Sequence, residues 1–268
     1  MSRSAASRGA VAILALLLAS CGSGGLASSS PSVGSPPSGR SSGLATSPAS
    51  ATATSPAPSP TGSPTAAAIP GFEGWTILNP ASVAASAEDG TLVLTMTRRA
   101  LWFQAQRGVL VWKPVTGDFR ITATVSVTRT SDPAAALDGG GAVRLGGLMA
   151  RVDAIRENYV FVVVGADADG LSVETKSTRE NASRFEGPAW PAPAADLRLC
   201  RSAATFTMLK RPAGSNGPWT VAATIERPDL PGELQVGPNI YTDGPPDLTA
   251  RYSDVVLESP PTVTGCDS

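Results

Sequence analysis

The chain has 268 residues, 42% of them hydrophobic, a formal charge of −1 and no histidine. Length and charge allow one or two soluble domains and supply no basic stripe for nucleic acid. The missing histidine excludes a Ser-His-Asp triad and removes the commonest neutral-pH base and zinc ligand.

In chain order, residues 1–20 form an export signal: Arg3 and Arg8 precede an apolar run from Val11 to Leu18. That run is far shorter than the ~20 residues needed to span a bilayer. Leu18-Ala19-Ser20-Cys21 resembles the lipobox of bacterial lipoproteins, which implies cleavage before Cys21, acylation of its thiol and an extracytoplasmic, membrane-anchored protein. The alternative is a secreted chain cut near Ala19, with Cys21 an ordinary thiol. Residues 21–69 are almost entirely Ser, Pro, Ala, Thr and Gly, with Arg40 the only charge, and are expected to be a disordered tether. As a flexible coil such a segment spans roughly 40 Å, and more where its prolines favour polyproline II. Its Ser/Thr-Pro character also permits O-linked sugar.

Every tryptophan, tyrosine and phenylalanine lies after Pro70, so residues 70–259 are expected to be the packed domain and 260–268 a tail. This part carries 18 basic and all 22 acidic residues, a net charge near −4. "TLVLTM" and "GVLVWKPV" are the first strand candidates. "DFRITATVSVT" alternates Phe119, Ile121, Ala123, Val125 and Val127 with polar residues, a period of two that buries one face. "LGGLMAR" reads as a strand interrupted by Gly146 and Gly147, which suits a bend or the close approach of a neighbouring chain. Arg151 at its end either pairs with Asp153 or Glu157 or makes a polar contact on a ligand-facing sheet. "NYVFVVVG" is apolar on both faces, as a central strand is, and "ADADGLSVET" carries an Asp-Gly hairpin signal. "DLRLCR", "ATFTMLKR", "WTVAATIE", "LQVGPNIY" and "ARYSDVVLE" follow. About ten short strands without helical periodicity predict an all-β, antiparallel two-sheet sandwich. In an oxidising compartment Cys200 and Cys266 are free to pair; otherwise they are two thiols.

"GWTILNP", "DGTLVLT", "RGVLVWKPVTGDFRITATV", "GGLMAR", "ENYVFVVVG", "LRLCRSAATFTML" and "LQVGPNIY", in that order, resemble a bacterial family of concanavalin A-like jelly-roll domains of uncertain function. That family is often labelled "regulation of enolase" and is related to laminin-G-type domains. The resemblance covers nearly all of residues 71–258 and implies the jelly roll. Such folds host lectins, glycan hydrolases, carbohydrate-binding modules and adhesion domains, so activity must be argued from a site.

Glycan hydrolysis needs two carboxylates roughly 5–10 Å apart. The Glu-x-Asp-x-x-Glu spacing usual in hydrolases of this fold is absent, and Glu174 and Glu180 read as solvated groups of a charged hairpin. No cofactor is expected. Calcium has only Asp167 and Asp169 as a fragment of a loop, which the Asp-Gly turn also explains, while Asp132 and Asp138 read as parts of a flexible loop. Sugar recognition uses aromatic faces beside planar polar groups, which singles out Trp102, Gln104, Arg107, Asn158, Tyr159 and Trp190, together with Arg151. Core or edge packing is the competing reading of Trp102 and Trp190; Trp75, Trp112 and Trp219 are assigned to the core. The Asn181-Ala182-Ser183 sequon carries little meaning in a bacterial lipoprotein. The expectation is a membrane-anchored module binding glycan or envelope material without catalysis. The alternatives are a glycan hydrolase or lyase, which predicts a carboxylate pair in a groove, and a protein-protein interaction module, which predicts an exposed apolar patch.

Overall fold

The computed structural model describes residues 65–66, 69–104, 107–137, 141–154, 156–262 and 265–266. Cys21, nearly all of the expected tether and Asp138 lie outside the described residues.

Among the described residues, fifteen strands form two wholly antiparallel sheets. One contains β1 (Thr65–Ala66), β2 (Thr76–Leu78), β5 (Val109–Thr116), β14 (Glu233–Thr242), β7 (Arg144–Arg151), β8 (Tyr159–Asp167), β9 (Gly170–Arg179) and β10 (Ala182–Glu186), in that spatial order. The other runs β13 (Thr220–Glu226), β12 (Thr205–Arg211), β11 (Ala194–Ser202), β6 (Phe119–Thr128), β15 (Thr249–Glu258), β4 (Thr91–Met96) and β3 (Val83–Glu88). The main core lies between them. Ile121, Ala123, Val125 and Val127 of β6 and Leu197 and Leu199 of β11 meet Leu148 and Ala150 of β7 and Val160, Val162 and Val164 of β8. A buried Tyr252 hydroxyl donates to the Asn239 carbonyl at 2.5 Å, a polar link between the sheets.

Each strand expected from the sequence is present. The structure adds β1, inside the segment read as tether, and β2, β3 and β10. β3 is built on Ala and Ser, and β10 is fully exposed, so neither offers a β-rich or alternating pattern. Their turns are nonetheless explicit: Asp89-Gly90 joins β3 to β4, and Glu180-Asn181 joins β9 to β10. All four residues have positive φ, as a two-residue type I′ hairpin requires.

β7 is buried along its whole length because both faces of its sheet are covered. A Cβ on Gly146 would lie 2.8 Å from the Tyr252 hydroxyl, and one on Gly147 would lie 2.1 Å from the Val162 carbonyl oxygen. The two glycines therefore admit close neighbours, the opposite sheet at one and the adjacent strand at the other. The C-terminal tail is held down by a disulfide between Cys200 and Cys266, with Cα atoms 5.9 Å apart, and by the Arg198 guanidinium donating to the Cys266 carbonyl at 2.7 Å.

Candidate functional site

Side chains alternate across a strand, so the residues of β7, β8, β9 and β14 that avoid the main core gather on the outer face of the eight-stranded sheet. There Leu145, Met149, Tyr159, Phe161, Val163 and Tyr241 form a second apolar cluster with Leu78, Leu110 and Trp102. Tyr159 and Phe161 are stacked, with centroids 5.6 Å apart and planes 8° apart. The segment between β4 and β5 crosses this face. It is fixed by a bridge from Ala100 to Thr242 and by the Asn79 amide donating to the Arg107 carbonyl at 2.8 Å. Trp102 is its plug: 2% exposed, edge-on to Tyr159 at 5.8 Å, and seated on Gly108, where a Cβ would fall 2.4 Å from the indole nitrogen.

Polar groups surround this plug. The Trp102 carbonyl accepts from the Tyr159 hydroxyl at 3.2 Å and from the Lys176 ammonium at 3.0 Å, and Lys176 also lies over the Tyr159 and Phe161 rings. Arg151, 3% exposed, donates to Gln235 at 2.6 Å, and its guanidinium lies 5.8 Å from the Trp102 ring centre. Burial, and then the nearby Arg107, pushes its pKa down to about 10. Burial also lowers Lys176. Desolvation pushes Glu157 up to about 7 against the pull of Lys176, Arg151 and Arg107. Glu174 rises to about 7 through desolvation and then the Asp167 carboxylate beside it.

Five side chains have buried polar atoms without a hydrogen-bond partner among the described residues. Four of them belong to this outer face: the indole nitrogens of Trp102 and Trp112, both carboxyl oxygens of Glu157, and the whole amide of Asn239. Arg144, at the start of β7, is the fifth. Buried polar groups are normally satisfied, and each orphan costs about 1–3 kcal/mol, so this concentration sets the face apart from the rest of the described residues.

Of the residues selected from the sequence, Trp102, Gln104, Arg107, Arg151 and Tyr159 come together on this face or on the segment crossing it. Gln104 is exposed, at a positive φ of 48°. Asn158 lies at one end, where its amide donates to Glu180 at 3.1 Å. Trp190 lies elsewhere: it packs against the main core, gives its indole proton to the Ala194 carbonyl at 3.0 Å and carries Lys210 over its ring. Trp75 is in the main core, whereas Trp112 borders the outer cluster and Trp219 sits between the guanidiniums of Arg198 and Arg211, 4.3 Å from each. One acid reading is corrected. Glu174 is buried, because β9 turns it toward the outer cluster, while Glu180 is exposed and paired with Arg156 at 3.0 Å. Asp167 is spent on its turn, accepting from the amides of Asp169 and Gly170 and from the Ser172 hydroxyl. Lys176 and Asn239 escaped notice, although a lone Asn in the buried strand "LQVGPNIY" was the available signal.

Glu174 lies beside the Asp167 carboxylate, and Glu157 and Glu174 both act on Lys176 through space. Tyr159 is opposite Thr178 and Val163 is opposite Glu174, which sets Glu174 about 13 Å along the sheet from Tyr159.

A separate cleft of about 940 Å³ opens where the exposed edge strands β10 and β13 face each other, lined by Ser177, Arg184, Glu186 and Ile225 among others, with Phe185 68% exposed.

The architecture is an antiparallel two-sheet β-sandwich. Among solved structures, the chain is similar to a functionally unknown protein from Saccharomyces cerevisiae, with 16% identity, a TM-score of 0.56 and coverage of 71% of this chain and 98% of that one. It is also similar to a xylan β-1,4-xylosidase from Bacillus halodurans, with 12% identity, a TM-score of 0.51 and coverage of 67% of this chain. The match spans about a third of the xylosidase, 35% of its length. These likenesses establish the fold. Neither a family model nor a curated protein sequence matches the chain.

Proposed function

We propose that the protein is a non-catalytic binding module for glycan or other envelope material, held outside the cytoplasm by lipid on Cys21 and a flexible tether. The ligand is read by the outer face of the eight-stranded sheet. The observation that carries the reading is the set of unpartnered donors and acceptors of Trp102, Trp112, Glu157 and Asn239 among stacked aromatic rings. Hydroxyl groups are both donors and acceptors, and sugar rings have apolar faces, so a saccharide suits both kinds of group, reaching these buried atoms by displacing the Trp102 plug.

The test is calorimetric titration of the full chain with soluble wall and plant polysaccharides, comparing wild type with Asn239→Val. An orphaned amide costs stability, so the variant is expected to melt no lower than wild type yet bind at least about tenfold more weakly. Unchanged affinity in a folded variant contradicts the assignment. The anchor is tested separately: Cys21→Ser is expected to move the protein from the membrane fraction to the soluble one, and continued membrane association contradicts lipidation.

A second reading has its own support in the β10–β13 cleft, where an exposed strand edge and Phe185 suit an extended peptide.

A further inference from the structure

The strand β10 ends the eight-stranded sheet, and the phase of its hairpin decides what its free edge presents. In the type I′ turn, Arg179 and Ala182 make the first hydrogen-bonded pair, and hydrogen-bonded and non-hydrogen-bonded pairs alternate from there. Ala182, Arg184 and Glu186 therefore turn their backbone groups toward Arg179, Ser177 and Thr175 of β9. The Val173 amide, donating to the Pro188 carbonyl at 3.3 Å, keeps the same phase. Ser183 and Phe185 turn theirs outward, to an edge that no other described strand covers. Every residue of β10 is exposed, Phe185 by 68%. Pro188, which has no amide proton, ends the run after Gly187.

Arg184 and Glu186 stand on the side of β10 that lines the cleft of about 940 Å³, and among the described residues neither has a hydrogen bond or ion pair. Charges are the usual defence of a free edge against pairing. Charges of one sign repel a second copy, whereas opposite charges two residues apart attract one in a single register. The other edges long enough to pair lack this pattern. The one charge of β3, Glu88, is paired with Arg251, and the one charge of β13, Glu226, accepts from Thr205.

We propose that the partner of this edge is a second copy of the chain, β10 against β10, antiparallel about a twofold axis at Phe185. The outward backbone groups of Phe185 then bond to those of Phe185 in the other copy, and Ser183 pairs with Gly187. Arg184 of each copy falls opposite Glu186 of the other at non-hydrogen-bonded positions, where side chains approach most closely. A slip of two residues sets Arg184 opposite Arg184 or Glu186 opposite Glu186, so the charges fix the register. The axis stands normal to the sheet, so the two outer faces look the same way. The pairing holds whatever ligand those faces take.

The experiment is sedimentation velocity on the full chain carrying Cys21→Ser, which keeps lipid out of the measurement, over a concentration series reaching the hundred-micromolar range. A reversible dimer is expected. Arg184→Glu and Glu186→Arg each set like charges opposite one another and weaken the dimer about tenfold or more, while melting as wild type does because both positions are exposed. Mixed in equal amounts, the two variants are complementary and associate with each other at wild-type strength. The double variant Arg184→Glu/Glu186→Arg dimerises as wild type does. A chain that stays monomeric throughout overturns the proposal and leaves the edge to an extended peptide. Single variants that dimerise as readily as wild type, or that fail to associate when mixed, also overturn it.

Discussion

At the scale of single residues, Glu157 ties stability to the candidate site. The residue is 5% exposed, neither carboxyl oxygen has a hydrogen-bond partner among the described residues, and its pKa is raised from 4.5 to about 7. A raised folded pKa means that the group's contribution to stability is complete below its unfolded value and is lost as pH rises through the folded one. The wild type is therefore expected to lose stability between pH 5 and pH 8, by on the order of 1–3 kcal/mol through this group. Glu157→Gln is expected to flatten that slope and to melt above wild type at pH 8, which thermal unfolding at both pH values checks. A variant no more stable than wild type at pH 8 contradicts the assignment. At this scale the sequence was partly legible. Aromatics beside planar polar residues led to Trp102, Arg107 and Tyr159, but an Asn in a strand buried on both faces, and a Glu and a Lys alternating along "LSVETKST", looked unremarkable until the register placed them on the same face. Trp190 shows the reverse failure: singled out for sugar contact, it packs its ring against the main core, its competing reading.

At the scale of elements, the strands that carry the core were legible because burial imposes a pattern. β6 alternates since one face is wet, and β8 is uniformly apolar since both faces are covered. β10 and β3 left no such trace, one exposed throughout and the other built from small residues, so only their turn chemistry betrays them. The segment from β4 to β5 was legible in content but not in role. Its position across the sheet depends on long-range partners, Thr242 and Asn79, which lie more than a hundred residues after it and some twenty before it. The glycines of β7 had the stated local reason, the close approach of neighbours, but which neighbours were involved is a property of the tertiary pairing.

At the scale of the whole molecule, the sandwich explains why one face differs from the rest. The outer face of the seven-stranded sheet is polar and well partnered, as where Asp196 accepts from Thr124 and Arg211 and where Arg120 pairs with Glu258. The opposite outer face holds the stacked rings and four of the five side chains with orphaned polar atoms. The account rests on that asymmetry. The five tryptophans sample the molecule well: Trp102 and Trp112 on the candidate face, Trp75 and Trp190 in the main core, and Trp219 on the far sheet. Following their indole N–H signals by two-dimensional NMR during titration with polygalacturonate or a wall glycan that binds is therefore the most direct test. The account predicts that the Trp102 and Trp112 signals move as their unpartnered protons find acceptors, while the other three stay in place. Movement confined to Trp219 or Trp190, or none at all in a titration where calorimetry shows binding, would contradict it.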